Sequence, residues 1–256
     1  MVNAYAFLTK TPNQPLITFA EHLFDKYNIP IYIFIDDDSY HINNSDKIHF
    51  VKINAEECRK HNICCTLEIN YDNIRNHSTK KVSAWDKAIF YFIYINSSYD
   101  HVWFIEDDVL ILSDDTLINI DAKFPDSDLL SSSNSPSKQH EVENHEWFWD
   151  FAIYLFGFPA YCSMVCACRM SKSMLCAINS VAQQIKFIPF LEFSFNTIAM
   201  KADLKVECPS QMSTLIYKND WNIDDFKQNK DNLFHPMKDY HNHGIYRQEV
   251  LQSSKG

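Results

Sequence analysis

Three consecutive carboxylates interrupt an apolar stretch near the middle of the chain. The segment WFIEDDVLIL, residues 103–112, contains Glu106, Asp107 and Asp108. An ionised carboxylate is costly to bury unless it is paired, protonated or bound to a metal. Side chains two residues apart point to the same side of a strand, so Glu106 and Asp108 are expected to face together and Asp107 away from them. Two carboxylates on one side favour a hard cation such as Mg²⁺ or Mn²⁺, although a solvated acidic turn fits the same pattern.

Composition limits the chemistry that the chain can perform. It has 256 residues, of which 46% are hydrophobic, and this is enough for one large core. The formal net charge of −10 at pH 7 argues against broad binding to nucleic acid or to an anionic membrane surface. Only three glycines occur, and none belongs to a glycine-rich phosphate-binding loop. Any bound phosphate would therefore need a metal ion and side chains.

The N-terminus and the cysteines indicate a cytoplasmic protein with reduced thiols. The first ten residues, MVNAYAFLTK, lack the basic start and the long apolar segment of a secretory signal. The eight cysteines lack the C-x₂-C pairs of a zinc site and are expected to be buried thiols. Residues 151–168 are uncharged over about the minimum length that crosses a bilayer, but Gly157 and Pro159 interrupt them. We therefore expect two buried strands joined by a turn there, and no transmembrane segment. The oligomeric state is left open.

The first hundred residues alternate between strand and helix patterns. Apolar runs at 4–9, 31–35 and 47–53 predict strands. Apolar residues recur at helical spacing over 16–27 and over 85–93, and the second of these helices leads into the acidic strand. Such alternation is typical of an α/β fold with a mainly parallel central sheet flanked by helices. After residue 112 the pattern becomes irregular.

A second acidic cluster is expected beside the first. Asp36, Asp37 and Asp38 directly follow the strand predicted at 31–35. Ligands of parallel sheets bind beyond the carboxyl ends of the strands, so both clusters should meet at one edge of the sheet. A helix cap or a turn explains the cluster at 36–38 equally well.

Two further groups of candidate residues lie later in the chain. Glu192 interrupts the apolar run IPFLEFSFNTIAMK at 188–201, and a buried carboxyl group of raised pKa suits a general base, although a structural hydrogen-bonded glutamate fits as well. The segment FHPMKDYHNH at 234–243 contains His235 and Lys238. An imidazole accepts Mn²⁺ and a lysine adds charge beside a metal-bound diphosphate, whereas the alternative is an exposed polar tail.

In their order and spacing, these features resemble the nucleotide-sugar-dependent glycosyltransferases of the GT-A fold. EDD at 106–108 corresponds to the D-x-D motif of that family, and residues 85–96 resemble the helix that precedes it. ACRMSKSML at 167–175 resembles a recurrent strand-to-helix segment. FIPFLEFSFNTIA at 187–199 resembles the segment with the acceptor-side carboxylate, and FHPMK at 234–238 resembles the late histidine of the metal site. The resemblance spans nearly the whole chain.

The resemblance implies one continuous GT-A-like domain with two halves. Residues 1–112 would bind the nucleotide, and the more irregular residues 113–256 would bind the acceptor and complete the metal and diphosphate site. The implied activity is a Mn²⁺- or Mg²⁺-dependent transfer of a sugar from a nucleotide-sugar, with a UDP-sugar favoured, to a hydroxyl group of a glycan or another acceptor. The expected role is glycan biosynthesis.

The resemblance also implies roles for individual residues. The metal ligands would be Glu106, Asp108 and His235, and Asp108 is the stronger candidate because Glu106 replaces the usual first aspartate. Glu192 would deprotonate the acceptor hydroxyl in an inverting displacement. Contacts with the nucleotide-sugar are implied for Thr9, Asp36, Asp38, Lys87, Glu106, Asp107, Arg169 and Lys238.

Two other interpretations remain open. A haloacid-dehalogenase-like, Mg²⁺-dependent phosphatase would use Asp36 and Asp38, with EDD as its later acidic pair. In that family the acidic pair lies near the end of the catalytic core, whereas roughly 150 residues follow here, including the His and Lys cluster. The other alternative is a transferase-like fold without turnover that binds carbohydrate.

Overall fold

The computed structural model describes residues 3–42, 45–65, 81–138 and 149–253. Within these ranges the strands are β1 (Asn3–Thr9), β2 (Ile31–Ile35), β3 (Ile48–Val51), β4 (His101–Glu106), β5 (Leu110–Ile111), β6 (Leu129–Leu130), β7 (Ser135–Pro136), β8 (Tyr161–Cys162), β9 (Ala167–Ser171), β10 (Val206–Glu207) and β11 (Leu233–Phe234). The helices there are α1 (Gln14–Tyr27), α2 (Ala55–Lys60), α3 (Ala84–Phe90), α4 (Asp115–Lys123), α5 (Trp149–Phe156), α6 (Lys172–Ile185), α7 (Leu191–Lys201), α8 (Ile223–Gln228) and α9 (Tyr240–Ser253), with a π-helical turn at Tyr91–Ile95 and a 3₁₀ turn at Ser210–Met212.

The centre of the fold is a seven-stranded sheet with the order β10-β6-β9-β4-β1-β2-β3. Strand β9 is antiparallel to β4 and to β6, and the other neighbouring pairs are parallel. This confirms the predicted α/β class with a mainly parallel sheet. Strand β4, which ends at the acidic triplet, lies in the middle of the sheet.

Side chains of β4 alternate between two cores, as the period of a strand requires. Val102 and Phe104 lie in the core that includes residues of α3, α6 and α7. Trp103 and Ile105 lie in the core that includes residues of α1 and α4. The sheet is therefore covered by helices on both faces, and the acidic triplet begins at the last residue of its central strand.

The N-terminal elements confirm the sequence predictions with small changes in their bounds. Strands β1 and β2 match the predicted runs, and the third predicted strand shortens to β3. Helix α1 begins after Asn13, whose side-chain oxygen accepts a hydrogen bond from the Leu16 backbone N–H at 2.9 Å. Pro15 lies in the first turn, where its missing N–H costs nothing.

The prediction of two strands over 151–168 is wrong in its first half. The turn at Gly157 is present, with a φ of 75°, but the residues before it form α5. Within α5, Trp149, Phe151 and Ala152 are buried. In a short apolar run, the spacing of the hydrophobic residues does not distinguish a buried strand from a buried helix. The predicted strand is therefore a helix. Within the described residues, every helix is too short or too polar to cross a bilayer.

Helix α3 is buried on all sides, and its N-terminus is closed by a capping box. All seven of its residues are buried. The Ser83 backbone N–H donates to Asp86 Oδ2 at 2.7 Å, and the Ser83 hydroxyl donates to the same oxygen at 2.9 Å. Burial raises the pKa of Asp86 to about 7, against the opposing effect of these hydrogen bonds. A carboxyl group that holds its proton near neutral pH is thus part of the helix.

We predict that Asp86 makes the protein less stable as the pH rises. The pKa is about 7 in the folded state and about 4 in an unfolded chain. Between these values the folded state binds more protons, so the contribution of Asp86 to the free energy of unfolding falls as the pH increases. In urea unfolding, the wild type should lose stability relative to Asp86→Asn from pH 4 to 7, by up to about 1.4 kcal/mol per pH unit.

Asp225 provides the control because it occupies the same capping position in α8. It is partly exposed, and hydrogen bonding to Lys218 lowers its pKa. The wild type should therefore gain stability relative to Asp225→Asn as the pH rises through the acidic range. If the stability of the wild type relative to Asp86→Asn and relative to Asp225→Asn changed with pH in the same direction, the raised pKa of Asp86 would be contradicted.

Candidate functional site

The two acidic clusters lie at the same edge of the sheet, at the carboxyl ends of β2 and β4. Strand β1 runs between them and connects both through its last residues. The Asp36 backbone N–H donates to the Thr9 carbonyl, and the Asp107 backbone N–H donates to the Leu8 carbonyl, both at 3.0 Å. The edge predicted from the order of strands is therefore formed by adjacent backbone segments.

Three side chains at this edge form a group that could hold a metal ion. Glu106, Asp108 and His235 each offer a ligand atom, and these atoms lie within 4.8 Å of one another. His235 Nε2 is 3.6 Å from Asp108 Oδ1. Asp108 Oδ1 and His235 Nδ1 are buried and have no hydrogen-bond partner among the described residues. A buried carboxylate oxygen without a hydrogen-bond partner, next to an imidazole nitrogen, fits a divalent ion such as Mn²⁺.

Glu106 and Asp108 converge through a turn and not through strand alternation. Strand β4 ends at Glu106, and Asp107 and Asp108 belong to the following turn. The turn is closed by the Val109 backbone N–H, which donates to the Glu106 carbonyl at 3.1 Å. The predicted pairing of Glu106 with Asp108 is therefore present, whereas its predicted cause is wrong.

His235 reaches the triplet because the C-terminal segment pairs with the chain just after it. Strand β11 is antiparallel to β5, with Phe234 opposite Leu110. Beyond the histidine, the Met237 backbone N–H donates to the Asp108 carbonyl at 2.7 Å. Burial lowers the pKa of His235, although the negative charge of Asp108 opposes the shift. The imidazole is therefore neutral near pH 7, which is the form that binds a metal.

Glu106 is held by a residue of α3. The Trp85 indole Nε1–H donates to Glu106 Oε1 at 2.6 Å. Burial raises the pKa of Glu106 to about 8; the indole contact opposes this shift, and the negative charges of Asp108 and Asp107 add to it. A bound cation would reverse this effect because it stabilises the ionised carboxylate.

Asp107 faces away from the other two carboxylates, as predicted, but it binds protein groups. The Thr9 hydroxyl donates to Asp107 Oδ2, and the Tyr240 hydroxyl donates to Asp107 Oδ1 at 3.3 Å. Thr9 is only 3% exposed, so its hydroxyl is not presented to a nucleoside. Asp107 thus links β1 to the start of α9 through these two hydroxyl groups, and the buried Thr9 does not make its predicted contact with the nucleotide-sugar.

Lys87 lies beneath the acidic cluster that follows β2. Its ammonium group is 3.0 Å from Asp36 Oδ1 and 3.6 Å from Asp38 Oδ1, and it donates to the Asp36 carbonyl at 3.1 Å. Lys87 is only 2% exposed, whereas the side chains of Asp36 and Asp38 are accessible. The lysine thus fixes the backbone and one carboxylate at the edge where a nucleoside was predicted to bind.

Glu192 and Lys238 complete the charged groups around the triplet. Glu192 lies in the first turn of α7, and burial raises its pKa to about 7. Its negative charge contributes to the raised pKa of Glu106, so the two carboxyl groups act on each other. Lys238 is exposed, and its positive charge contributes to the lowered pKa of His235. One further carboxyl group and one ammonium group therefore act electrostatically on the candidate metal ligands.

Arg169 lies inside the fold, so it does not make the predicted contact with a leaving group. It is opposite Trp103 in the β4–β9 pairing and is completely buried. The guanidinium group forms an ion pair with Asp121 at 2.8 Å and donates to the carbonyls of Phe124 and Ser127. Its positive charge is therefore paired with Asp121 inside the fold, between the sheet and α4.

Two residues next to the site were not found by sequence reasoning. Trp85 was assigned only to the apolar surface of α3, although an indole N–H on the helix before an acidic strand was an available signal. Tyr240 was part of the segment 234–243, but nothing in that segment indicates a bond to Asp107. Its contact depends on how the C-terminal segment folds back.

Comparisons with known proteins find similar solved structures. No protein-family model matches the sequence, and no curated protein matches it. The galactosyltransferase LgtC, in complex with donor and acceptor sugar analogues, is 14% identical, with a TM-score of 0.43 over 80% of this chain and 72% of that chain. An active-site mutant of LgtC is 11% identical, with a TM-score of 0.46 over 98% and 96%. Mouse xyloside xylosyltransferase 1, apo form, is 10% identical, with a TM-score of 0.39 over 81% and 84%. The function proposed below rests on the site geometry.

We predict that Asp108 is essential for binding Mn²⁺ in the absence of any nucleotide. Asp108→Asn removes the charge of a metal ligand. Residues that only hydrogen-bond to metal ligands typically contribute 10-fold to 100-fold to metal affinity. Loss of a ligand charge should therefore raise the Kd for Mn²⁺ at least ~100-fold. Asp114→Asn is a matched control because the two side chains are 15% and 19% exposed and Asp114 pairs with Lys26 instead. Free Mn²⁺ measured by electron paramagnetic resonance reports both constants. Equal affinities of the two variants would remove Asp108 from the site.

Proposed function

We propose that this protein is a metal-dependent glycosyltransferase that moves a sugar from a nucleotide-sugar to an acceptor hydroxyl. The observation that supports it most is the convergence of Glu106, Asp108 and His235 at the end of the central strand. Mg²⁺ and similar ions are held by one or two carboxylates together with substrate phosphate oxygens. A chain without a glycine-rich phosphate loop needs such an ion to bind a diphosphate. The motif order that resembles GT-A enzymes agrees with this proposal.

The donor side of the proposed site divides the work among several residues. Asp108, His235 and Glu106 would hold the ion, which as a Lewis acid stabilises the negative charge of the departing nucleoside diphosphate. Lys238 would contact the same diphosphate through its exposed ammonium group. Asp36 would contact the nucleoside at the end of β2, where Lys87 fixes its orientation. A UDP-sugar is the favoured donor because UDP is common among metal-dependent members of the family.

The acceptor side of the proposed site depends on Glu192. A carboxyl group with a pKa of about 7 is about half ionised at neutral pH, and this pKa suits a general base. Its ionised form would take the proton of the acceptor hydroxyl while that oxygen attacks the anomeric carbon. Attack opposite to the leaving diphosphate inverts the configuration of the sugar.

A screen of sugar nucleotides by thermal shift tests the proposal. The expected result is an increase in Tm with one nucleotide-sugar that requires Mn²⁺, because a ligand that binds only the folded state stabilises it by about 2.7 kcal/mol at 100 times its Kd. The shift should be absent in Asp108→Asn and retained in Asp114→Asn. Slow donor hydrolysis should accompany binding.

Two other results would each favour one of the alternative functions. Hydrolysis of a generic aryl phosphate that is lost in Asp36→Asn would support the phosphatase alternative. Binding of sugars without transfer or donor hydrolysis under any metal condition would support a carbohydrate-binding module.

We further predict that Glu192→Gln retains donor binding but loses sugar transfer. Removal of a general base should lower kcat by about 10²-fold to 10⁴-fold while the Kd for the donor stays constant. In the wild type, kcat should increase with pH through an apparent pKa of about 7, because the base acts when it is deprotonated. Glu21→Gln on α1, another partly exposed glutamate, is the control and should leave kcat unaltered. Weakened donor binding with normal turnover would reassign Glu192 to the donor site.

A further inference from the structure

Trp85 is a buried tryptophan whose only polar atom contacts the candidate metal site. Its side chain lies in the core on one face of the sheet, and the residue is 5% exposed. The indole Nε1–H donates to Glu106 Oε1 at 2.6 Å. An indole N–H is a donor with no acceptor capacity, so it can only bind an oxygen such as this one.

The packing around Trp85 fixes the direction of this hydrogen bond. The ring is stacked on Phe104, with centroids 5.8 Å apart and an interplanar angle of 20°. On another side it contacts Phe195, at a centroid distance of 5.9 Å. Phe104 precedes Glu106 on β4, and Phe195 follows Glu192 on α7. The indole is therefore held between the two elements that carry the carboxyl groups of the site.

Glu106 needs such a partner more than an aspartate would. Its side chain has one more rotatable bond than aspartate, and ordering it costs more conformational entropy when a metal binds. The indole occupies one carboxylate oxygen and leaves the second oxygen for an ion. Groups that hydrogen-bond to metal ligands orient those ligands and contribute strongly to metal affinity.

We propose that Trp85 is a positioning residue that holds the Glu106 carboxylate in place for the divalent ion. This inference rests on the metal-dependent function proposed above. Helix α3 would thus contribute to metal binding indirectly, through Glu106, although it supplies no metal ligand.

The chain contains a matched control for this contact. Trp103 is also buried, and its indole Nε1–H also donates to a carboxylate, Asp121 Oδ1, at 2.9 Å. It lies in the core on the opposite face of the sheet. Replacing Trp103 by Phe removes the same volume and the same kind of hydrogen bond from a place outside the metal site.

The experiment compares the Mn²⁺ affinity of Trp85→Phe and Trp103→Phe by calorimetry, with thermal unfolding of each variant measured alongside. Trp85→Phe should raise the Kd for Mn²⁺ about 10-fold to 100-fold, whereas Trp103→Phe should leave it unchanged. Adding Glu106→Gln to Trp85→Phe should cost less affinity than Glu106→Gln costs in the wild type, because both changes disable one ligand.

A second measurement covers the case in which Trp85→Phe does not fold. In the wild-type protein, saturation with Mg²⁺ should slow solvent exchange of the Trp85 indole N–H, because an ion-bound Glu106 carboxylate holds its acceptor oxygen in place, and should leave exchange of the Trp103 indole N–H unchanged. Unchanged exchange at Trp85, wild-type Mn²⁺ affinity in folded Trp85→Phe, or an equal loss in Trp103→Phe would overturn the inference while leaving the proposed function intact. A wild-type protein that does not bind Mn²⁺ would overturn the metal-dependent function itself.

Discussion

Mutual repulsion and desolvation of three carboxyl groups at the end of β4 constrain the rest of the structure. The fold places each group in a different environment, so that no two depend on the same partner. Glu106 is held by an indole, Asp107 by two hydroxyl groups, and Asp108 lies beside an imidazole. Burial and like charge still raise the pKa of Glu106 to about 8. The remaining imbalance is one that a divalent cation would correct, and this links the architecture to the proposed chemistry.

The C-terminal segment is the second requirement, because the site is incomplete without it. Backbone hydrogen bonds attach this segment to the chain on both sides of His235, through the β5–β11 pair and through Met237. Tyr240 adds a side-chain bond to Asp107. These contacts join residues more than 100 positions apart, so the site forms only when the whole domain has folded.

The sequence predicted the elements whose patterns are local. The strands before both acidic clusters, helix α1 and the buried helix α3 follow from periodicity, and the meeting of the clusters follows from strand order. What failed had no local signal. Helix α5 has the same apolar composition as a buried strand, and the use of Arg169 depends on Asp121, 48 positions away. The hydrogen bond between the side chains of Thr9 and Asp107 likewise has no signal in the local sequence.

Helix α3 has a nearly apolar sequence pattern, yet its polar side chains contact both acidic clusters. Three successive buried residues direct their polar atoms to three different places: Trp85 to the end of β4, Asp86 to the helix N-terminus, and Lys87 to the end of β2. Each of the three side chains has a hydrogen-bond partner at that place, so each one ties the helix to a fixed point. Both acidic clusters are therefore tied to one helix as well as to β1. A helix whose sequence pattern is typical of a core element thereby contacts both ends of the proposed site.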